Sequence, residues 1–108
     1  RGELEAAEGH ALRCLELSLR LGDRRRIVLT AAKLAVIAAE RGEAEQAGRL
    51  WGAIESEQAS RPFRQWENHR EELEPLVLGV GEPAFARARA EGRLLSIAEA
   101  AGLEVASG

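Results

Sequence analysis

Arg1-Gly2-Glu3-Leu4-Glu5-Ala6-Ala7 and Arg41-Gly42-Glu43-Ala44-Glu45-Gln46-Ala47 are the two stretches that decide the fold. Five of their seven positions are identical, at an offset of 40 residues. Internal repeats with a period of about 20–50 residues mark stacked helical or sheet units, none of which can bury its apolar face alone. The residue types give each copy a physical reading. Glycine allows a tight turn, the acids favour a helix N-terminus, and the later alanine lets two helix backbones come close. Each copy therefore reads as a turn that launches a helix, with a helix–turn–helix unit between them.

Composition agrees with a helical protein. Alanine supplies 20 of the 108 residues and leucine 15, against one threonine and no tyrosine. These counts feed helices and starve strands. Charged residues make up 31% and hydrophobic ones 45% of the chain, which suits a globular protein and not a disordered one. No apolar run approaches the ~20 residues of a membrane span. The single cysteine excludes an internal disulfide and a cysteine-based zinc knuckle. No secretory leader pattern is visible, so a reducing cytoplasm is the expected compartment. A net charge of -3 argues against a dedicated nucleic-acid binder. The chain opens at Arg1 inside a helical pattern, which leads us to expect a fragment or a processed product.

Working outward from the repeat, the spacing predicts a first helix from Glu3 to Leu21, with Leu4, Ala7, Ala11, Leu15 and Ser18 on its inner stripe. Gly22 ends it and Asp23 caps a second helix, from Arg24 to Arg41. From Ile27 to Ala39 only Thr30 and Lys33 are polar, so this helix should be central. A third helix runs from Glu43 to Ala59. Gly48 and Gly52 lie one turn apart inside it, at a cost of about 1 kcal/mol each in helix propensity. A neighbouring helix is therefore expected close to them. Pro62 should open a fourth helix whose face is Phe63, Trp66, Arg70, Leu73, Leu76 and Val80, with Pro75 forcing a kink or short restart near Glu74. Gly79 and Gly81 should stop it. A fifth helix is expected from Pro83 to Glu91, ended by Gly92. Ser96 and Glu99 form a capping box for a short sixth helix that ends at Ala101.

The pattern of the repeat resembles tetratricopeptide repeats. Gly2 and Ala7, then Gly42 and Ala47, fall on that family's glycine and small-residue positions. Leu34 and Ala35 match its leucine–small pair, and Trp51 takes the aromatic position of the second helix. Ala38 replaces the usual aromatic of the first, and the period of 40 exceeds the family's usual 34. The stretches Ala47-Gly48-Arg49-Leu50-Trp51-Gly52-Ala53-Ile54-Glu55, Gly81-Glu82-Pro83-Ala84-Phe85-Ala86 and Ala90-Glu91-Gly92-Arg93-Leu94-Leu95-Ser96-Ile97-Ala98-Glu99-Ala100 add a further likeness. They resemble the C-terminal repeat region of large bacterial regulators, the LuxR/MalT-type signal-transduction ATPases. Pro75 departs from that pattern, as does His69 where the family often has tyrosine. The resemblance implies a right-handed superhelix of antiparallel helical hairpins, all-α. It also implies a sensor or scaffold segment of a bacterial transcription regulator, with the ATPase and DNA-binding parts elsewhere.

Candidate chemistry is sparse. His10 and Cys14 share a helix face at a spacing that suits a metal, but two ligands are too few, and Cys14 reads better as a core thiol. Arg24, Arg25 and Arg26 form a basic run that could touch an acidic partner or nucleic acid, although a solvated helix start is the simpler reading. Glu71, Glu72 and Glu74 lack the apolar pocket that would raise a carboxyl pKa. No Gly-rich loop is followed by G-K-[ST], and no serine or cysteine pairs with histidine and aspartate as a nucleophile would. Residues 96–103 could start a helix-turn-helix, but the chain ends before a recognition helix. Of the aromatics, Trp51 and Phe85 read as core, and Trp66 could line a partner groove.

The expected organisation is thus tetratricopeptide-like helices over residues 1–60, about one and a half repeats, capping helices over 61–103 and a frayed tail over 104–108. The expected function is a non-catalytic scaffold for protein–protein or interdomain contacts, with no metal, no cofactor, no direct nucleic-acid contact and no membrane contact. The repeat-packing residues would be Gly2, Ala7, Leu34, Ala35, Gly42, Ala47 and Trp51; the partner surface would draw on Arg24, Arg25, Arg26 and Trp66. A small-molecule inducer domain and the repeat tail of a nucleotide cyclase are the alternatives. Fewer than two full repeats leave apolar surface uncovered, and burying ~400 Å² of it would contribute about 10 kcal/mol before association costs. A homodimer through Leu4, Leu12, Leu19 and the second helix would supply that cover, unless the segment from Phe63 to Val80 folds back over the stack.

Overall fold

The computed structural model describes residues 2–62, 64–78 and 83–103. Within them the chain forms six helices and no strand: α1 (Gly2–Leu21), α2 (Arg24–Glu40), α3 (Ala44–Ser60), α4 (Trp66–Leu78), α5 (Ala84–Gly92) and α6 (Ile97–Ala100). The chain is all-α there, as composition requires. The tail from 104 and the expected face and stop residues Phe63, Val80, Gly79 and Gly81 lie outside the described residues, as does Arg1 of the first repeat copy.

Two left-handed glycines turn the first three helices into an antiparallel layer. Gly22 (φ 70°) separates α1 from α2, and Gly42 (φ 78°) separates α2 from α3. An L side chain would be strained at either. Asp23 caps α2 by accepting the Arg26 N–H at 3.2 Å, which satisfies one of the free amides of the first turn. Glu43 precedes α3 without a side-chain cap, and backbone bonds close the turn at Gly42, with Gly42 N–H to the Ala39 carbonyl at 3.0 Å and Glu43 N–H to the Ala38 carbonyl at 2.8 Å.

The expected central helix is central. α2 packs against α1, α3 and α4 and touches α6, and eight of its residues are buried. The core joins Leu15 of α1, Val28 and Leu34 of α2, Leu50, Trp51 and Ile54 of α3, Val77 of α4 and Phe85 of α5. Ala47 is fully buried.

The tightest packing lies between α3 and α5. A Cβ added to Gly48 would stand 2.5 Å from the Phe85 carbonyl oxygen, and one on Gly52 would run into the Arg89 carbonyl. The close neighbour predicted for these two glycines is α5. Gly92 answers from the other side: a Cβ there would strike the backbone of Arg49. Gly92 therefore does not end α5 by its conformation. It is a buried residue of the helix, and its missing side chain lets the two backbones touch.

Arginine–carboxylate pairs frame this contact. Arg89 donates to both oxygens of Glu55, through Nε at 2.8 Å and through Nη2, and Arg93 reaches the same carboxylate at 3.2 Å. Burial alone would push the Glu55 carboxyl up. The two guanidiniums outweigh that and hold it below its ordinary 4.5. A carboxyl depressed on folding stabilises the fold above its unfolded pKa, and the contribution is lost as pH falls through the folded value. Chemical denaturation across the acid range should show wild type losing stability below about pH 4.5. Glu55→Gln should be weaker by about 1 kcal/mol at neutral pH, discounted for partial exposure, with a flatter acid profile. An identical acid profile for both chains would contradict this.

The fourth helix differs from its expected form. It begins at Trp66, not at Pro62, after a turn at Arg64 and Gln65. The buried Trp66 ring is the first residue that packing can hold. The helix also runs through Pro75 without a restart. Only three residues follow the proline, and the Glu71 carbonyl it leaves unbonded belongs to an exposed residue, so the loss is small at this end. The inner face is Trp66, Leu73 and Val77; Leu76 is 55% exposed. The capping box of α6 is present in both directions, with Glu99 N–H to Ser96 Oγ at 3.0 Å and Ser96 N–H to Glu99 Oε1 at 2.9 Å.

Candidate functional site

Among the described residues, α1 lies at an edge of the α1–α2–α3 layer. This helix packs chiefly on α2 through Ala11, Leu15 and Ser18. At their contact, Cys14 Sγ lies 3.6 Å from Thr30 Oγ1, and Ser18 Oγ donates to the Cys14 carbonyl at 2.8 Å. Cys14 is only half-buried, so it lies at the margin of the hairpin and not in the centre of the core. Leu4, Leu12 and Leu19 are half-buried against the core. The leucines that α1 leaves in water are others: Leu17, 52% exposed, and Leu21, 69% exposed.

Charge is polarised along the layer. At the end where α1 and α3 begin and α2 finishes, Glu3, Glu5, Glu40, Glu43 and Glu45 are exposed. At this end Arg41 is held by Glu8 at 2.7 Å and Glu43 at 3.5 Å. At the opposite end Arg20, Arg25, Arg26, Arg61 and Arg64 are exposed, together with the acid Asp23. Antiparallel order places like charges together there, although they lie far apart in sequence.

The residues singled out for a partner surface have distinct fates. Arg24 works inside the fold: its guanidinium donates to Glu57 at 2.7 Å and to the Arg61 carbonyl at 2.6 Å, tying α2 to the end of α3. Arg26 stands 3.8 Å from Asp23, and Arg25 is exposed. Trp66 is 4% exposed and packs on Trp51, with ring centroids 5.7 Å apart at 47°. Its indole is core, and the groove-lining role considered for it finds no surface here. Of the repeat-packing residues, Leu34, Ala35, Ala47 and Trp51 are buried. Gly42 makes its turn, Gly2 is the exposed first residue of α1, and Ala7 is half-buried.

Among the described residues, no group of three histidine, cysteine, aspartate or glutamate side chains is placed to hold a metal. No described helix is long and apolar enough to cross a membrane. An open hollow of about 480 Å³ at the start of α3 is lined by Gly42, Glu43, Ala44, Glu45, Gln46, Arg49 and Ala84. A second, of about 340 Å³, lies between Glu45, Arg49, Ala84, Arg87, Ala88 and Glu91. Both open to solvent and carry charged rims, unlike the enclosed apolar pocket that an inducer would need. Sequence reasoning missed Leu17 and Leu21 as surface residues. The available signal was that both fall outside the stripe of Leu4, Ala7, Ala11, Leu15 and Ser18.

Comparison with known protein families, with curated proteins and with solved structures found no match.

Proposed function

We propose that the chain is a non-catalytic helical-repeat scaffold that mediates protein–protein or interdomain contacts. We place it in a cytoplasmic bacterial transcription regulator similar to the LuxR/MalT-type signal-transduction ATPases. The observation that carries the contact reading is the α1 edge, with Leu17 and Leu21 in water on a helix that has its main neighbour on one side. The residue likeness described above supports the regulator reading. Helical-repeat layers bind by presenting such surfaces to a neighbouring domain or a second protein.

The encoding reading frame tests the parentage. An ATPase segment and a DNA-binding helix-turn-helix in the same frame are expected; a frame with neither would contradict it. The edge is tested by Leu17→Asp with Leu21→Asp in that frame. Both side chains are solvent-facing, so the fold should survive while the transcriptional response falls by an order of magnitude, about tenfold. An unchanged response would overturn the edge as a contact site.

A further inference from the structure

We infer that the end of the layer presented by Arg20, Arg25, Arg61 and Arg64 is a docking surface for an acidic protein segment that carries an apolar residue. The inference adds a surface to the scaffold reading and does not depend on the α1 edge. Pairing carries it. Arg24 bonds both Glu57 and the Arg61 carbonyl, which draws the start of α2 against the turn after α3. The acids at this end are engaged within the fold: Glu57 with Arg24, Asp23 with the Arg26 N–H and more loosely with its guanidinium, and Glu67 with Arg70. Only Glu16, one turn before Arg20, is exposed there without an ion pair among the described residues. The guanidiniums of Arg20, Arg25, Arg61 and Arg64 are exposed too, and none has a hydrogen bond or ion pair among the described residues. Elsewhere Arg41, Arg49, Arg70, Arg89 and Arg93 all meet carboxylates. The other unpaired cations described, Arg13, Lys33 and Arg87, stand on three different helices.

Gathering like charges without partners disfavours the fold. Arg25 adds to this, because it sits in the first turn of α2, where the helix dipole repels cations. Nothing inside the fold offsets that for Arg25. A carboxylate-rich segment would, since each guanidinium fork can hold a carboxylate through two parallel bonds. An open hollow of about 270 Å³ between Asp23, Arg25, Arg26 and Leu29 supplies the apolar part of the match. Leu29 is half-buried there and gives a leucine-sized side chain a wall beside the arginines. A nucleic acid suits this end less well. Trp51, Trp66 and Phe85 are buried, so none of them offers a base a stacking surface. The net charge of -3 also repels a long polyanion, whereas a short segment responds chiefly to charges within about 10 Å.

Fluorescence anisotropy of a labelled peptide of repeated glutamate-glutamate-leucine, titrated with the 108-residue chain, tests this. Binding is expected, and it should weaken steeply as salt rises. A peptide with glutamine in place of glutamate should not bind, and an oligothymidylate of equal charge should bind more weakly. Arg25→Glu and Arg61→Glu should each weaken peptide binding about tenfold. Arg87→Glu makes the same change in net charge from an unpaired arginine on α5, and it should stay within about twofold of wild type. Circular dichroism checks that each variant folds, and two reversals on different elements keep the test decisive should one of them unfold. No binding by the wild-type chain would overturn the inference, as would an equal loss from Arg87→Glu or tighter binding of the oligonucleotide. The Leu17 and Leu21 variant in the parent frame reads the α1 edge separately, so failure of one surface is distinct from failure of the other.

Discussion

Gly52→Ala should destabilise the chain by about 3 kcal/mol or more, although glycine to alanine inside a helix ordinarily gains about 1 kcal/mol. The sign reverses because the new methyl would enter the Arg89 carbonyl, and neither element can give way cheaply. On one side lies the backbone of α5; on the other, α3 is held by Trp51 and Ile54 in the core. Gly48 and Gly92 face the same obstacle from neighbouring turns, so separating the two helices would open the whole contact. Gly9 provides the control. It is also helical, but a Cβ there would have nothing within 4 Å, so Gly9→Ala should be neutral or stabilising. Urea denaturation of both variants reads the difference. Equal effects at Gly9 and Gly52 would show that helix propensity decides and that α5 does not press on α3.

Trp51→Ala should cost about 4–5 kcal/mol, close to the entire stability of many domains of this size. The ring has no exposed surface and packs at a tilt against Trp66, itself 4% exposed. Truncation would remove the largest buried side chain and leave Trp66 beside a cavity, forfeiting the aromatic pair as well. Trp51→Phe should be milder, about 1–2 kcal/mol, because it keeps an aromatic ring. It also removes an indole N–H that is buried with no acceptor among the described residues. Thermal melting followed by circular dichroism separates the two. A melting point for Trp51→Ala within a few degrees of wild type would mean that the pair does not anchor α4 to α3.

The parts of the fold that local chemistry controls were legible in the sequence. Gly22 and Gly42 have no side chain to oppose a left-handed turn, so helix ends there are written in one residue. The Ser96–Glu99 box is a contact between near neighbours, and it formed as read. Gly48 and Gly52 were legible in another way: an unexplained cost in propensity implied a compensating approach, though not by which helix. What remained hidden depends on contacts distant in sequence. The start of α4 was misplaced because Pro62 permits a helix, while the burial of Trp66 against Trp51 determines where one begins. Gly92 resembled a stop signal because its partner, the Arg49 backbone, lies 43 positions away. The same holds for the surface. Arg24 looked like part of an open basic run until Glu57 and the Arg61 carbonyl came alongside it. Leu17 and Leu21 fall outside the inner stripe read for the first helix, and the packing of α1 on α2 is what leaves them in water.

The central claim is that the α1 edge is where this protein makes contact. Amide hydrogen exchange of the 108-residue chain alone and within the protein its reading frame encodes tests it most directly, because it reads cover residue by residue. Within the longer protein, slower exchange is predicted along α1, strongest from Arg13 to Leu21, while α3 and α5, already shielded by their own contact, stay unchanged. Exchange along α1 that is the same in both, or protection that appears on α4 instead, would contradict the account.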